Sequence, residues 1–138
     1  MTDAMPPVVG PASWGAAAVA AVLSPIPLAD EVVLFPALLG VGAAVGRARG
    51  LPLRALPWGA FAATAAIGLA ARAGINLAVS YLPGIAAVAN ATTAYALTHA
   101  FGAWAHAACI DPSRARPPSY SDLADAIRSG WRAARAPA

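Results

Sequence analysis

Apolar and small residues fill most of the chain, and the breaks between them are set by proline and glycine rather than by charge. Each proline removes a backbone donor and disfavours helix in the residue before it, so the breaks divide the chain into four apolar segments and a polar tail. The first helix is expected from Ala12 to Leu23, after which Ser24, Pro25, Ile26 and Pro27 force an extended turn. Asp30 then stands where a carboxylate caps the free N–H groups of a second helix, Asp30 to Arg49, with a kink at Pro36 and a stop at Gly50. Pro57 opens a third helix that runs to Leu82, Pro83 and Gly84 make a tight turn, and a fourth helix covers Ile85 to Cys109.

The last two helices exceed the roughly 20 residues that cross a hydrocarbon core, and Ala73 to Ile110 carries no formal charge. A hairpin of these two spans is therefore the expected membrane element, with the first two helices either crossing or resting in the interface. The predicted fold is all-α: a small membrane helical bundle of two to four apolar helices plus a C-terminal amphipathic helix. Residues 1–11 read as a flexible N-terminus, 12–110 as the apolar helical domain, 111–118 as a linker and 119–138 as a basic tail helix. The start of the chain lacks a basic segment before its apolar run and carries prolines at 6, 7 and 11, which argues against a cleavable signal peptide.

Composition sharpens this picture. Of 138 residues, 59% are hydrophobic and only 11% charged, which is too apolar for an ordinary soluble domain. The nine basic residues are all arginine, so no P-loop lysine exists, and Cys109 is the single cysteine, so no intrachain disulfide or CxxC knuckle forms. A net charge of +3 reflects arginine placement at segment ends, without the interleaved aromatics of a nucleic-acid surface, and no nucleic-acid partner is expected. Arg47, Arg49 and Arg54 lie between the second and third helices, and Arg114 and Arg116 follow the fourth. By the positive-inside rule both clusters, and both termini, face the cytoplasm from the cytoplasmic (inner) membrane.

Arg72 is the most informative residue, because a guanidinium inside an apolar helix needs a partner or water. Thr64, Gly68, Arg72, Asn76 and Ser80 recur every four residues and form one polar stripe facing the bundle interior. Asn90, the threonines of the fourth helix, carbonyls freed at Pro36, and Asp30 are the acceptors within range. Such a stripe reads either as a structural clamp or as an ion or headgroup pathway. Gly42 and Gly46 form a GxxxG pair for close helix packing. In the tail, Leu123, Ile127 and Trp131 share a face beside Arg128, Arg132 and Arg135, so Arg128, Trp131, Arg132 and Arg135 make a membrane or partner surface. His99, His106 and Cys109 carry metal or haem ligand chemistry on one helix, but no other helix offers a matching histidine, so neither metal nor cofactor is expected. The carboxylates sit at segment ends or in the tail, away from any serine and histidine set, and no enzyme is expected.

From Leu23 to Ala108 the chain resembles the YcjF-like, GTPase-associated membrane domain family. The resemblance rests on Ser24 to Asp30 (SPIPLAD), on Arg47, Ala48, Arg49 and Gly50 closing an apolar helix, on Arg72 within a helix, on Leu82, Pro83 and Gly84, and on Ala94, Thr98 and Gly102. It implies a helical membrane module that works beside Era-like GTPases and has no catalytic residues of its own. No nucleotide-binding domain fits upstream of Leu23, so the GTPase of such a pair is a separate polypeptide. The expected function is a non-catalytic membrane anchor, adaptor or assembly subunit, in contact with lipid and with a protein partner, a second copy or a GTPase. Two alternatives stand beside it: a transport or haem- or metal-binding subunit, and a soluble helical subunit buried in a larger assembly.

Overall fold

The computed structural model describes residues 4–23, 29–82, 85–117, 119, 121, 125, 128 and 132. Four helices follow in order, α1 (Val9–Leu23), α2 (Ala29–Ala48), α3 (Trp58–Val79) and α4 (Ala86–Ile110), with short 3-10 turns at Leu53–Ala55 and Pro112–Arg114. Among the described residues there is no strand. Helix α1 starts earlier than its alanine run because Pro11 falls in the first turn, where a missing N–H is not needed by the helix ladder. Helix α2 ends as its glycine requires. Gly50 adopts a positive φ of 76°, its N–H donates to Arg47 O at 2.9 Å, and the Leu51 N–H donates to Gly46 O at 3.0 Å. This pair of bonds is the Schellman arrangement that satisfies the last carbonyls of a helix.

The path is up and down. Val9 at the start of α1 meets Gly102 late in α4, and Ala20 near the end of α1 meets Asn90 early in α4. Helix α2 runs alongside α4, with Asp30 and Asn90 sharing Arg72 near one end and Arg49 touching His106 near the other. Helices α2 and α4 each pack against the other three. Leu34, Leu38, Val45, Phe61, Ala65, Ala94, Leu97 and Phe101 fill the space between helices. Gly42 and Gly46 serve this intramolecular packing: a Cβ at Gly42 would lie 2.7 Å from the Phe61 ring, and one at Gly46 would run into the Leu56 side chain.

Among the described residues, two helices are long and apolar enough to cross a membrane, α2 and α3. The expected pair was α3 and α4, and the difference has a physical reason. Helix α4 has 25 residues without a formal charge, yet it turns Asn90, Thr93, Thr98 and His106 inward and spends its length as the central packing element. A long uncharged run is the mark of burial, whether protein or lipid does the burying. Outside the core, Trp14, Val22, Val32, Ile67, Leu77, Tyr81, Leu82, Ile85 and Val88 are exposed.

A test of this packing lies at Gly102, whose added Cβ would come within 2.5 Å of Val9 Cγ1, itself fully buried. Gly102→Ala is expected to destabilise the fold by about 1–3 kcal/mol. Thermal unfolding in detergent measures it, and an unchanged midpoint would mean that α1 does not seat on α4 at this point.

Candidate functional site

The interior of the bundle holds a cluster of polar side chains around Arg72, drawn from three helices. Arg72 is 1% exposed, in the latter half of α3. Its Nη2 donates to Asp30 Oδ2 at 2.6 Å and its Nη1 to Glu31 Oε1 at 2.7 Å. Nη2 also donates to the Asn90 carbonyl oxygen at 3.1 Å and to Asn90 Oδ1. The two carboxylates are available because they occupy the first turn of α2, where the helix dipole favours negative charge.

Asn90 is the hub. Its Oδ1 accepts from Arg72 and from Asn76 Nδ2, the latter at 2.6 Å, and its Nδ2 donates to the Ala20 carbonyl at 2.7 Å. Ala20 lies in the last turn of α1, so this amide fastens α4 to that end of α1. Thr93 Oγ1 donates to Ala89 O at 2.9 Å and lies 3.4 Å from Asn76 Oδ1. Side chains of α2, α3 and α4 and a carbonyl of α1 are thereby tied together.

One guanidinium faces two carboxylates, and the cluster is not fully satisfied. Glu31 Oε2 and Arg72 Nε are buried without a hydrogen-bond partner, as are the hydroxyls of Thr64 and Thr98. Taking such charges out of water is expensive, and the cost is repaid only while every partner is present. The arrangement holds a permanent cation among acceptors drawn from α2 and α4.

The structure separates the expected stripe into parts. Thr64, Gly68 and Arg72 are buried, Asn76 is half-buried within the cluster, and Ser80 is exposed and donates to the Leu77 carbonyl instead. Ser80 thus leaves the stripe, because the four-residue spacing drifts around the helix and α3 ends at Val79. Of the two roles expected for Asp30, helix cap and partner of Arg72, the structure places it in the second. Helix α2 begins at Ala29, so Asp30 lies inside the first turn with its carboxylate on Arg72, and no capping bond from it is described. Glu31 was not among the expected partners. The signal for it was its place beside Asp30 at a helix start, a pair that one guanidinium can hold at once.

The other candidate ligands do not converge. His99 stacks on Tyr95 at 5.9 Å, and Tyr95 meets Trp14 at 4.9 Å. His106 faces Arg49, whose Nη2 is 2.6 Å from Nε2 and whose Nε donates to Nδ1 at 3.3 Å. Cys109 is half-buried and free. Among the described residues, no three of histidine, cysteine, aspartate and glutamate form a metal-holding group. Beyond α4, the amide and hydroxyl of Ser113 bind the Asp111 carboxylate at 3.0 and 2.7 Å and hold it below the ordinary carboxylate range. In the tail, Arg128 pairs with Asp125 at 2.9 Å and Arg132 is helical and exposed, whereas Trp131 and Arg135 lie outside the described residues.

Compared with known proteins, the chain matches no family model, no curated protein and no solved structure.

Proposed function

We propose that the protein is a non-catalytic membrane anchor or assembly subunit, seated in the cytoplasmic membrane with its arginine-bearing end in the cytoplasm. The observation that carries this reading is an inversion of the usual soluble pattern. Apart from Arg47 at the last turn of α2, the charges of α2 and α3, Asp30, Glu31 and Arg72, are turned inward and paired, while Val22, Val32, Ile67, Leu77 and Val88 point outward. Helices α2 and α3, at about 30 and 33 Å, match the hydrocarbon thickness. Arg128 and Arg132, exposed in the tail, add positive charge that suits the same cytoplasmic side. The partner class is a GTPase, on the resemblance carried by Ser24 to Asp30 and Leu82 to Gly84.

Orientation is tested by labelling in a Cys109→Ala background. Ser113→Cys lies at the arginine-bearing end and Tyr81→Cys at the other, and both native residues are exposed. A membrane-impermeant maleimide is expected to label Tyr81→Cys in intact spheroplasts and Ser113→Cys only after the vesicles are inverted. Labelling of both sites from one side would contradict an odd number of crossings between them and with it this placement.

A further inference from the structure

The end of the bundle away from Arg72 gathers positive charge that the interior does not use. Helix α2 finishes there, the Leu53–Ala55 turn follows, α3 starts, and α4 finishes into the Pro112–Arg114 turn. Between Arg47 and Arg116 the sequence contains one carboxylate, Asp111, and six arginines, of which Arg72 lies away from this end. Among the described residues between Arg47 and Arg116, five arginines therefore share one end with a single acid. Arg49 is engaged with His106, and Arg114 lies 3.4 Å from Asp111. Arg47, Arg54 and Arg116 are exposed and have no ion-pair or side-chain hydrogen-bond partner among the described residues.

A second observation sits at the same level. Trp58 is 39% exposed, and its Nε1 donates to the Leu53 carbonyl at 2.8 Å. Trp104 Nε1 donates to the Arg116 carbonyl at 3.0 Å, which ties the segment carrying Arg116 back onto α4. Leu53 and Ile110 are exposed beside these turns. Indoles with their N–H on loop carbonyls, apolar side chains at the helix ends and unpaired guanidinium groups just beyond form the sequence of layers found at a lipid headgroup boundary.

We propose that this end is a docking surface for an anionic phospholipid leaflet, with Arg47, Arg54 and Arg116 binding lipid phosphates while Leu53, Trp58 and Ile110 sit at the acyl boundary. The proposal rests on the membrane reading above and adds a headgroup preference to it. Charge complementarity selects the occupant: guanidinium groups bind phosphate oxygens through paired N–H donors, and the apolar rim excludes a purely aqueous polyanion. An arginine near an anionic surface contributes roughly a fivefold preference, so three together favour an anionic over a zwitterionic headgroup by about a hundredfold at low salt.

The test uses the full chain reconstituted into vesicles of mixed phosphatidylcholine and phosphatidylglycerol, with one or the other lipid brominated so that it quenches tryptophan fluorescence on contact. Brominated phosphatidylglycerol is expected to quench more strongly than brominated phosphatidylcholine at equal mole fraction. The difference should shrink at high salt and in the variant Arg47→Ala/Arg54→Ala/Arg116→Ala, whose exposed substitutions leave the core intact. Equal quenching by both lipids overturns the proposal, as does a triple variant with unchanged thermal midpoint that keeps the full preference. Absence of quenching by either lipid is a different failure, one that removes the membrane reading itself.

Discussion

Arg72→Leu is expected to destabilise the bundle by about 3–5 kcal/mol, the cost of leaving buried charge uncompensated. The substitution removes a cation that binds Asp30 at 2.6 Å and Glu31 at 2.7 Å, and it takes one of the donors from Asn90. Both carboxylates then remain in the interior with no cation beside them. Thermal unfolding followed by far-ultraviolet circular dichroism in detergent measures the loss. Substituting Asp30, Glu31 and Arg72 together by leucine is expected to recover most of the lost stability, because an apolar replacement of a whole buried ion cluster carries no desolvation cost. A single Arg72→Leu variant within about 1 kcal/mol of the parent would mean that the cluster is hydrated and does not hold the helices.

Phe61→Ala is expected to cost about 3–5 kcal/mol, the range for emptying a core aromatic site. Phe61 is 0% exposed and packs edge-on against Trp58, Phe101 and Trp104 with centroids 6.0, 6.0 and 5.8 Å apart. It also fills the space left by Gly42, where a Cβ would meet its ring. The two positions should therefore couple. Gly42→Ala is expected to destabilise the parent and to do so less in the Phe61→Ala background, where the ring is gone. Phe61 and Arg72 stand about 16 Å apart along α3, so their substitutions should add without coupling. Equal effects of Gly42→Ala in both backgrounds would show that α2 and α3 do not meet at this contact.

Much of the architecture is legible in proline and glycine placement, because these residues act on the backbone locally. The turn at Gly50 and the start of α3 after Pro57 are of this kind. The need of Arg72 for partners is also legible, since a lone cation in an apolar helix has few ways to exist, and Asp30 and Asn90 are among the acceptors that helix spacing allows. What the pattern does not reveal is which helix lies at the centre. The uncharged run of α4 resembles a lipid-facing span, yet Asn90, Thr93 and His106 point into protein, and only three-dimensional packing distinguishes the two kinds of burial. Glu31 escaped the same reading for a related reason: adjacent residues on a helix diverge by about 100°, so two neighbouring carboxylates reaching one guanidinium depends on where that guanidinium stands. The Arg49–His106 contact, 57 positions apart in sequence, has no local signal at all.

The exposed apolar faces and the inward charges share one explanation if lipid covers the outside of the bundle. Membrane fractionation at native expression level, with washes in high salt and then alkaline carbonate, tests that claim most directly. The account predicts that the protein stays with the membrane through both washes and leaves it only in detergent. Release into the soluble fraction by salt or carbonate would contradict it, and would mean that protein, not lipid, covers Val32, Leu77 and Val88.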